Sequence, residues 1–184
     1  MQHADDTLTP YYRLDPEQLI KVVESTGLLC DGRLLALNSY ENRVYQVGIE
    51  DAAPLIIKVY RPGRWTDEQI LEEHSFSIEI SDAEIPLVPP MVINGQSLHE
   101  YEGFRFAVFE RRGGHAPELD QKETRVWLGR FLGRMHSVGA NKSFQSRPEL
   151  TVESFGYKPV KELLEGHWLP PHLETAFTSL AEDL

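Results

Sequence analysis

The sequence predicts an α+β fold in which a small sheet-bearing lobe is followed by a helical one. Three observations carry this. The elements run helix, three strands, helix, further strands, and then helices only. A Gly-Gly break, Gly113-Gly114 in "RRGG", marks where alternation gives way to helical spacing. Between the first two strands lies "NSYENRVYQV", a polar hairpin without the glycine that such turns normally carry.

Residues 1–14 read as a loose lead-in, and "LDPEQLIKVVESTG" as a helix. Asp15 suits its N-cap, Pro16 its first position and Gly27 a left-handed stop, with Leu19, Ile20 and Val23 on its apolar face. Arg33–Leu37 and Val44–Ile49 are the hairpin strands, and "APLIIKVYRP" is a third strand that Pro62 ends. "TDEQILEEHSFSIEIS" is a helix opened by a Thr66/Gln69 capping box, with Leu71, Ile78 and Ile80 among its apolar positions. "EIPLVPPMVI" is an extended, proline-rich connection into a short strand. "SLHEYEGFRFAVFE" holds the last two strands, turned at Glu102-Gly103, with Phe104, Phe106 and Val108 on one face. After the break, residues 119–138 form an amphipathic helix with Leu128, Phe131, Leu132 and Met135 on one side. The final stretch places Leu173, Ala176, Phe177, Leu180, Ala181 and Leu184 at helical spacing with no stop signal. Its apolar stripe expects a covering partner, so the chain reads as cut inside a domain. The expected division is a lead-in over 1–32, a sheet lobe over 33–112, and the beginning of a helical lobe over 113–184.

Composition bounds the function. The 184 residues are 41% hydrophobic and 26% charged, an ordinary globular balance. A formal net charge of −11, from 29 acidic and 18 basic side chains, argues against binding a nucleic-acid backbone. It leaves room for a nucleotide, which needs only a few local donors. The single cysteine, Cys30, excludes a disulfide framework and a four-thiolate zinc site. The polar, acidic start is no signal peptide and no run reaches membrane-span length, so the expected location is the cytoplasm.

Lys58 is the most informative residue. Its strand neighbours on both faces are apolar (Leu55, Ile57 and Val59; Ile56 and Tyr60), so its ammonium must either snorkel out or meet an anion. Glu72 and Glu73, on the next helix, offer a carboxylate that could orient it. Ser39 and Asn42 in the hairpin could donate to an anion, or could bond their own turn. The strand "FRFAVFE" running into "RRGG" is either a linker between lobes or a resting place for a flat base. The histidines show no metal-ligand spacing.

Hairpin, lysine strand, glutamate helix, connector and helical lobe follow the order of the protein-kinase-like fold. More closely, "LNSYENRVYQ", "KVYRPGRWTDEQILEEH", "GFRFAVF" and "LGRFLGRMH" resemble the bacterial stress-response Ser/Thr kinases of the RdoA/YihE type. These belong to the aminoglycoside-phosphotransferase and choline-kinase superfamily. The resemblance implies an antiparallel N-lobe sheet with a helix, and an ATP site. Ser39 would contact the ATP phosphates with Asn42 nearby, Lys58 would bind the α- and β-phosphates, and Glu73 would pair with Lys58. Glu110 and Arg112 would offer backbone groups to adenine. His136 would end a structural helix and take no catalytic part. The family's "HGDxHxxN" loop and later "DxD" motif, which supply the base and the magnesium ligands, do not occur in these residues. The expectation is therefore no catalytic residue and no metal ligand in this chain, no kinase activity from it alone, and self-association through its uncovered stripes. The full-length protein would phosphorylate protein hydroxyls. A small-molecule kinase of choline, homoserine or aminoglycoside type is the alternative, and a non-catalytic nucleotide- or partner-binding module the third.

Overall fold

The computed structural model describes residues 11–183. These fall into two compact units divided between Ser146 and Arg147. The first holds α1 (Pro16–Glu24), β1 (Cys30–Leu37), β2 (Arg43–Ile49), β3 (Leu55–Val59), α2 (Asp67–Asp82), β4 (His99–Tyr101), β5 (Phe104–Glu110) and α3 (Lys122–Gly139). The second holds a π-helical turn (Glu153–Tyr157), α4 (Lys158–Glu165) and α5 (Pro171–Glu182). The expected α+β class is what forms. Residues 1–10 of the expected lead-in, and Leu184, lie outside the described residues.

Five antiparallel strands make one sheet in the order β1-β2-β3-β5-β4. Alternation sorts its side chains onto two faces. One face carries Val47, Ile57, Val59, Phe104, Phe106 and Val108, packed against Leu19, Val22 and Val23 of α1. A nine-residue helix is too short to persist alone in water, so this docking sustains α1. Burying each such side chain contributes roughly 1.5–3 kcal/mol. The opposite face carries Tyr60 and Ala107, with Phe109 beside them, under Ile70 of α2.

The expected punctuation forms. The Asp15 side chain accepts from Gln18 N–H at 2.7 Å, and Thr66 and Gln69 close a reciprocal capping box on α2. Glu102 and Gly103 take φ of 48° and 83°, a turn conformation that glycine adopts without strain. Three details depart from the sequence reading. Helix α1 ends at Glu24, before the left-handed Gly27. Leu71 is 45% exposed, because the buried line of α2 is Ile70, His74 and Ile80, a phase that includes a polar residue. The proline-rich stretch forms no strand: Pro86, Pro89 and Pro90 lack donors, leaving Met91 N–H to Val108 O at 2.7 Å and two isolated bridges, Pro90 with Phe109 and Ile93 with Gln96.

Helix α3 touches α2 where Arg134 donates to the carbonyls of Ala83 and Glu84, at 3.2 and 3.1 Å. None of its residues is buried, and Leu132 of the expected stripe is 53% exposed. In the second unit Phe155, Trp168 and Leu180 are all exposed as well.

Candidate nucleotide site

The strand register assembles two rows across the face that α2 partly covers. Leu37, Val44, Lys58 and Ala107 form one, and Leu35, Gln46, Ile56 and Phe109 the other. Leu37 and Val44 are the last paired residues before the hairpin loop, so its mouth opens onto the row that contains Lys58. The second row is apolar apart from Gln46, and Leu35 is 56% exposed, so part of it stays open.

Lys58 meets an anion. Its Nζ lies 3.1 Å from Glu73 Oε1 and 4.7 Å from the centre of the Tyr60 ring. The two charged side chains are 23% and 35% exposed, so the pair is not sealed from solvent. Glu72 points elsewhere, accepting the backbone N–H groups of Gln145 at 2.5 Å and Ser146 at 2.9 Å. An i/i+1 pair on a helix faces in different directions, and here it splits between sheet and loop.

Behind this pair, His74 is buried between Tyr60 Oη at 2.6 Å and Ser97 Oγ at 2.9 Å. A neutral imidazole has one donor and one acceptor and can satisfy both neighbours. Burial, the largest cause, pushes its pKa down to about 4.

The hairpin loop, residues 38–42, explains its own lack of glycine. The positive φ angles of the described chain fall at other positions, so no residue of this turn needs the left-handed region. Hydrogen bonds close it instead. Ser39 Oγ–H donates to Asn42 O at 2.5 Å, and Asn42 Oδ1 accepts from Arg61 N–H at 3.2 Å. The side chains expected at phosphate thus also organise the turn.

Glu41 was not singled out from the sequence, yet it is the loop's main tether. Its carboxylate accepts from Trp65 Nε1–H at 2.8 Å and Arg64 Nε–H at 3.0 Å, and its carbonyl from Tyr11 Oη–H at 3.1 Å. Partial burial pushes its pKa up. The bonds from Trp65 and Arg64, with the charges of Arg64 and Arg61, outweigh that and hold it below the usual value. Burial raises the Tyr11 phenol to about 12, keeping it a donor. The acceptor Glu41 and the donors Arg64 and Trp65 were visible within "YENR" and "RPGRWT", but their pairing spans more than twenty residues and has no local signal.

At the connector, Arg112 Nη2 meets Glu110 Oε2 at 2.6 Å and Arg111 Nε–H donates to Gln46 Oε1 at 2.7 Å. The structure therefore brings Lys58 and Glu73 together, holds Ser39 and Asn42 in one loop, and pairs Glu110 with Arg112 at the end of β5. Chemically this is a cation steadied by a carboxylate beside a partly open, mostly apolar row. Among the described residues no group of three His, Cys, Asp or Glu could hold a metal ion, and no helix is long and apolar enough to cross a membrane. An open depression lined by Asp31, Arg33, Glu50 and Asp51 lies toward the β2–β3 turn, at the other end of these strands from the hairpin.

Residues 33–177 match the "Phosphotransferase enzyme family". Stress response kinase A of Escherichia coli (strain K12) is 38% identical over 174 residues, covering 95% of this chain and 53% of that protein. Serine/threonine protein kinase RdoA of Salmonella typhimurium is 34% identical over 180 residues, covering 98% and 55%. The chain spans about half the length of the curated relatives it matches. A solved structure of amicoumacin kinase hAmiN, in complex with AMP-PNP, Ca²⁺ and Ami, superposes with a TM-score of 0.74 at 18% identity, covering 98% of this chain and 55% of that one.

Proposed function

Since the chain belongs to the phosphotransferase enzyme family, we propose that it is the ATP-binding portion of a protein kinase that transfers the γ-phosphate to serine or threonine hydroxyls. The observation that carries this reading is the Lys58–Glu73 pair, 3.1 Å apart and half-open beside an apolar row. A lysine whose carboxylate partner fixes its direction, yet leaves it accessible, can hold the α- and β-phosphates without swinging away. The name of the Salmonella relative, a serine/threonine protein kinase, supports a protein acceptor.

In phosphoryl transfer the protein contributes positioning and electrostatic stabilisation rather than covalent chemistry. Lys58 offsets phosphate charge and Glu73 orients it. The hairpin supplies Ser39 and Asn42 to the phosphates. Because the Ser39 hydroxyl donates within its own turn, donating to phosphate requires it to exchange partners. The backbone at Glu110 and Arg112 receives the adenine edge, with Leu35, Ile56 and Phe109 beneath the ring. The base, and the carboxylates that hold magnesium, would come from residues outside this chain. The working compartment is the cytoplasm.

The test is radiolabelled phosphate transfer by the full-length protein to a general protein acceptor, beside choline, homoserine and an aminoglycoside. Label on protein serine or threonine is expected, with none from the 184-residue chain alone. Label only on a small molecule would move the protein to the small-molecule kinases. ATP binding without any transfer would leave a binding module.

A further inference from the structure

We propose that Glu41 is a positioning residue: a carboxylate clasp that holds the hairpin at the height where it meets phosphate. The inference rests on the reading that the hairpin and Lys58 receive the phosphates of ATP, and it adds a residue that reading does not need.

Two adjacent residues of the loop are bound to two other segments, Tyr11 and residues 61–65. Glu41 takes Trp65 Nε1–H on one carboxylate oxygen, Arg64 Nε–H on the other, and Tyr11 Oη–H on its carbonyl. Asn42 takes Arg61 N–H. Tyr40, beside them, is fully exposed, so the tip stays open while its base is tied down. The tether has a direction as well. Trp65 precedes Thr66, the N-cap of α2, and α2 carries Glu73. Loop height and the approach of Glu73 to Lys58 are therefore set from one short segment, residues 61–66.

Charge sharpens the argument. A carboxylate in a phosphate-binding loop repels its ligand, so on charge alone its removal should tighten ATP binding. The neighbouring cations Arg64 and Arg61 neutralise Glu41 and keep it ionised. If its purpose is the clasp, removal instead weakens ATP binding, because the loop loses its place and the freed arginines do not restore it. The two accounts predict opposite signs.

The experiment measures ATP and adenosine binding to the full-length protein by calorimetry, for the parent, Glu41→Ala, Glu41→Gln and Trp65→Phe. The clasp predicts ATP affinity about tenfold lower in Glu41→Ala, the scale of a lost charge-assisted hydrogen bond, with adenosine affinity unchanged. Glu41→Gln, which can still accept from Trp65, should recover part of the loss. Should Glu41→Ala fail to fold by circular dichroism, Trp65→Phe keeps an aromatic side chain in place while removing the indole N–H donor to Glu41, and the same loss is expected of it. Unchanged or tighter ATP binding in these variants, with a parent that prefers ATP to adenosine, overturns the clasp alone. A parent without that preference overturns the phosphate reading of the site, and the clasp with it.

Discussion

Glu73 Oε1 lies 3.1 Å from Lys58 Nζ, while the adjacent Glu72 carboxylate accepts the amides of Gln145 and Ser146. Neighbouring acids of one helix thus hold different jobs, one toward the site and one toward the chain that follows α3. Glu73→Gln in the full-length protein should lower kcat/KM for phosphotransfer about tenfold, since the neutral amide steers the lysine weakly. Glu72→Gln should spare kcat/KM and lower stability by about 1 kcal/mol, the net worth of a hydrogen bond. Steady-state kinetics and thermal melting of both variants check the ranking, and the reverse order would exchange their roles.

His74 makes stability depend on pH. Its folded pKa, about 4, is below the ordinary 6.5, so between these values the unfolded chain binds more protons than the folded one. Stability is therefore complete above pH 6.5 and falls as pH drops toward 4, by on the order of 3 kcal/mol across the window. Burial also lowers the pKa of His99, which adds in the same direction. In His74→Gln melting temperature should change less between pH 7 and pH 5 than in the parent. Parallel curves would mean that His74 is not the titrating group.

Ser39 separates the phosphate role of the loop from its architecture. Ser39→Ala removes the donor to Asn42 O as well as any donor to phosphate. ATP affinity should fall by about 1.5–3 kcal/mol if the hydroxyl reaches a charged oxygen. Adenosine, which has no phosphate, should bind variant and parent alike. A parallel loss of adenosine binding would show that the hydroxyl serves the turn rather than the ligand.

What could be read from the sequence follows the range of the interactions involved. Caps were legible at Asp15 and at Thr66/Gln69 because a cap reaches only three residues, and the Glu102-Gly103 turn because its second residue is the glycine that a positive φ favours. Lys58 was legible because a charge in an apolar strand needs an explanation. Its partner narrowed to Glu72 or Glu73, but helix phase alone could not separate them, and α2 is phased by the buried polar His74 rather than by Leu71. The Glu41 tether was not legible, since its partners lie 23 and 24 residues away. The hairpin's missing glycine was a real signal whose cause lies in backbone angles.

The central claim is that Lys58 is held by Glu73 to receive phosphate. Lys58→Met tests it most directly, because methionine suits the apolar strand and Glu73, 35% exposed, can remain ionised in contact with water. The measurement is phosphotransfer by the full-length variant, with circular dichroism to establish that the fold is kept. The account predicts an intact fold with kcat/KM lowered at least about a hundredfold, the scale of removing one positioned electrostatic group. Turnover close to the parent's, in a folded Lys58→Met protein, would contradict it.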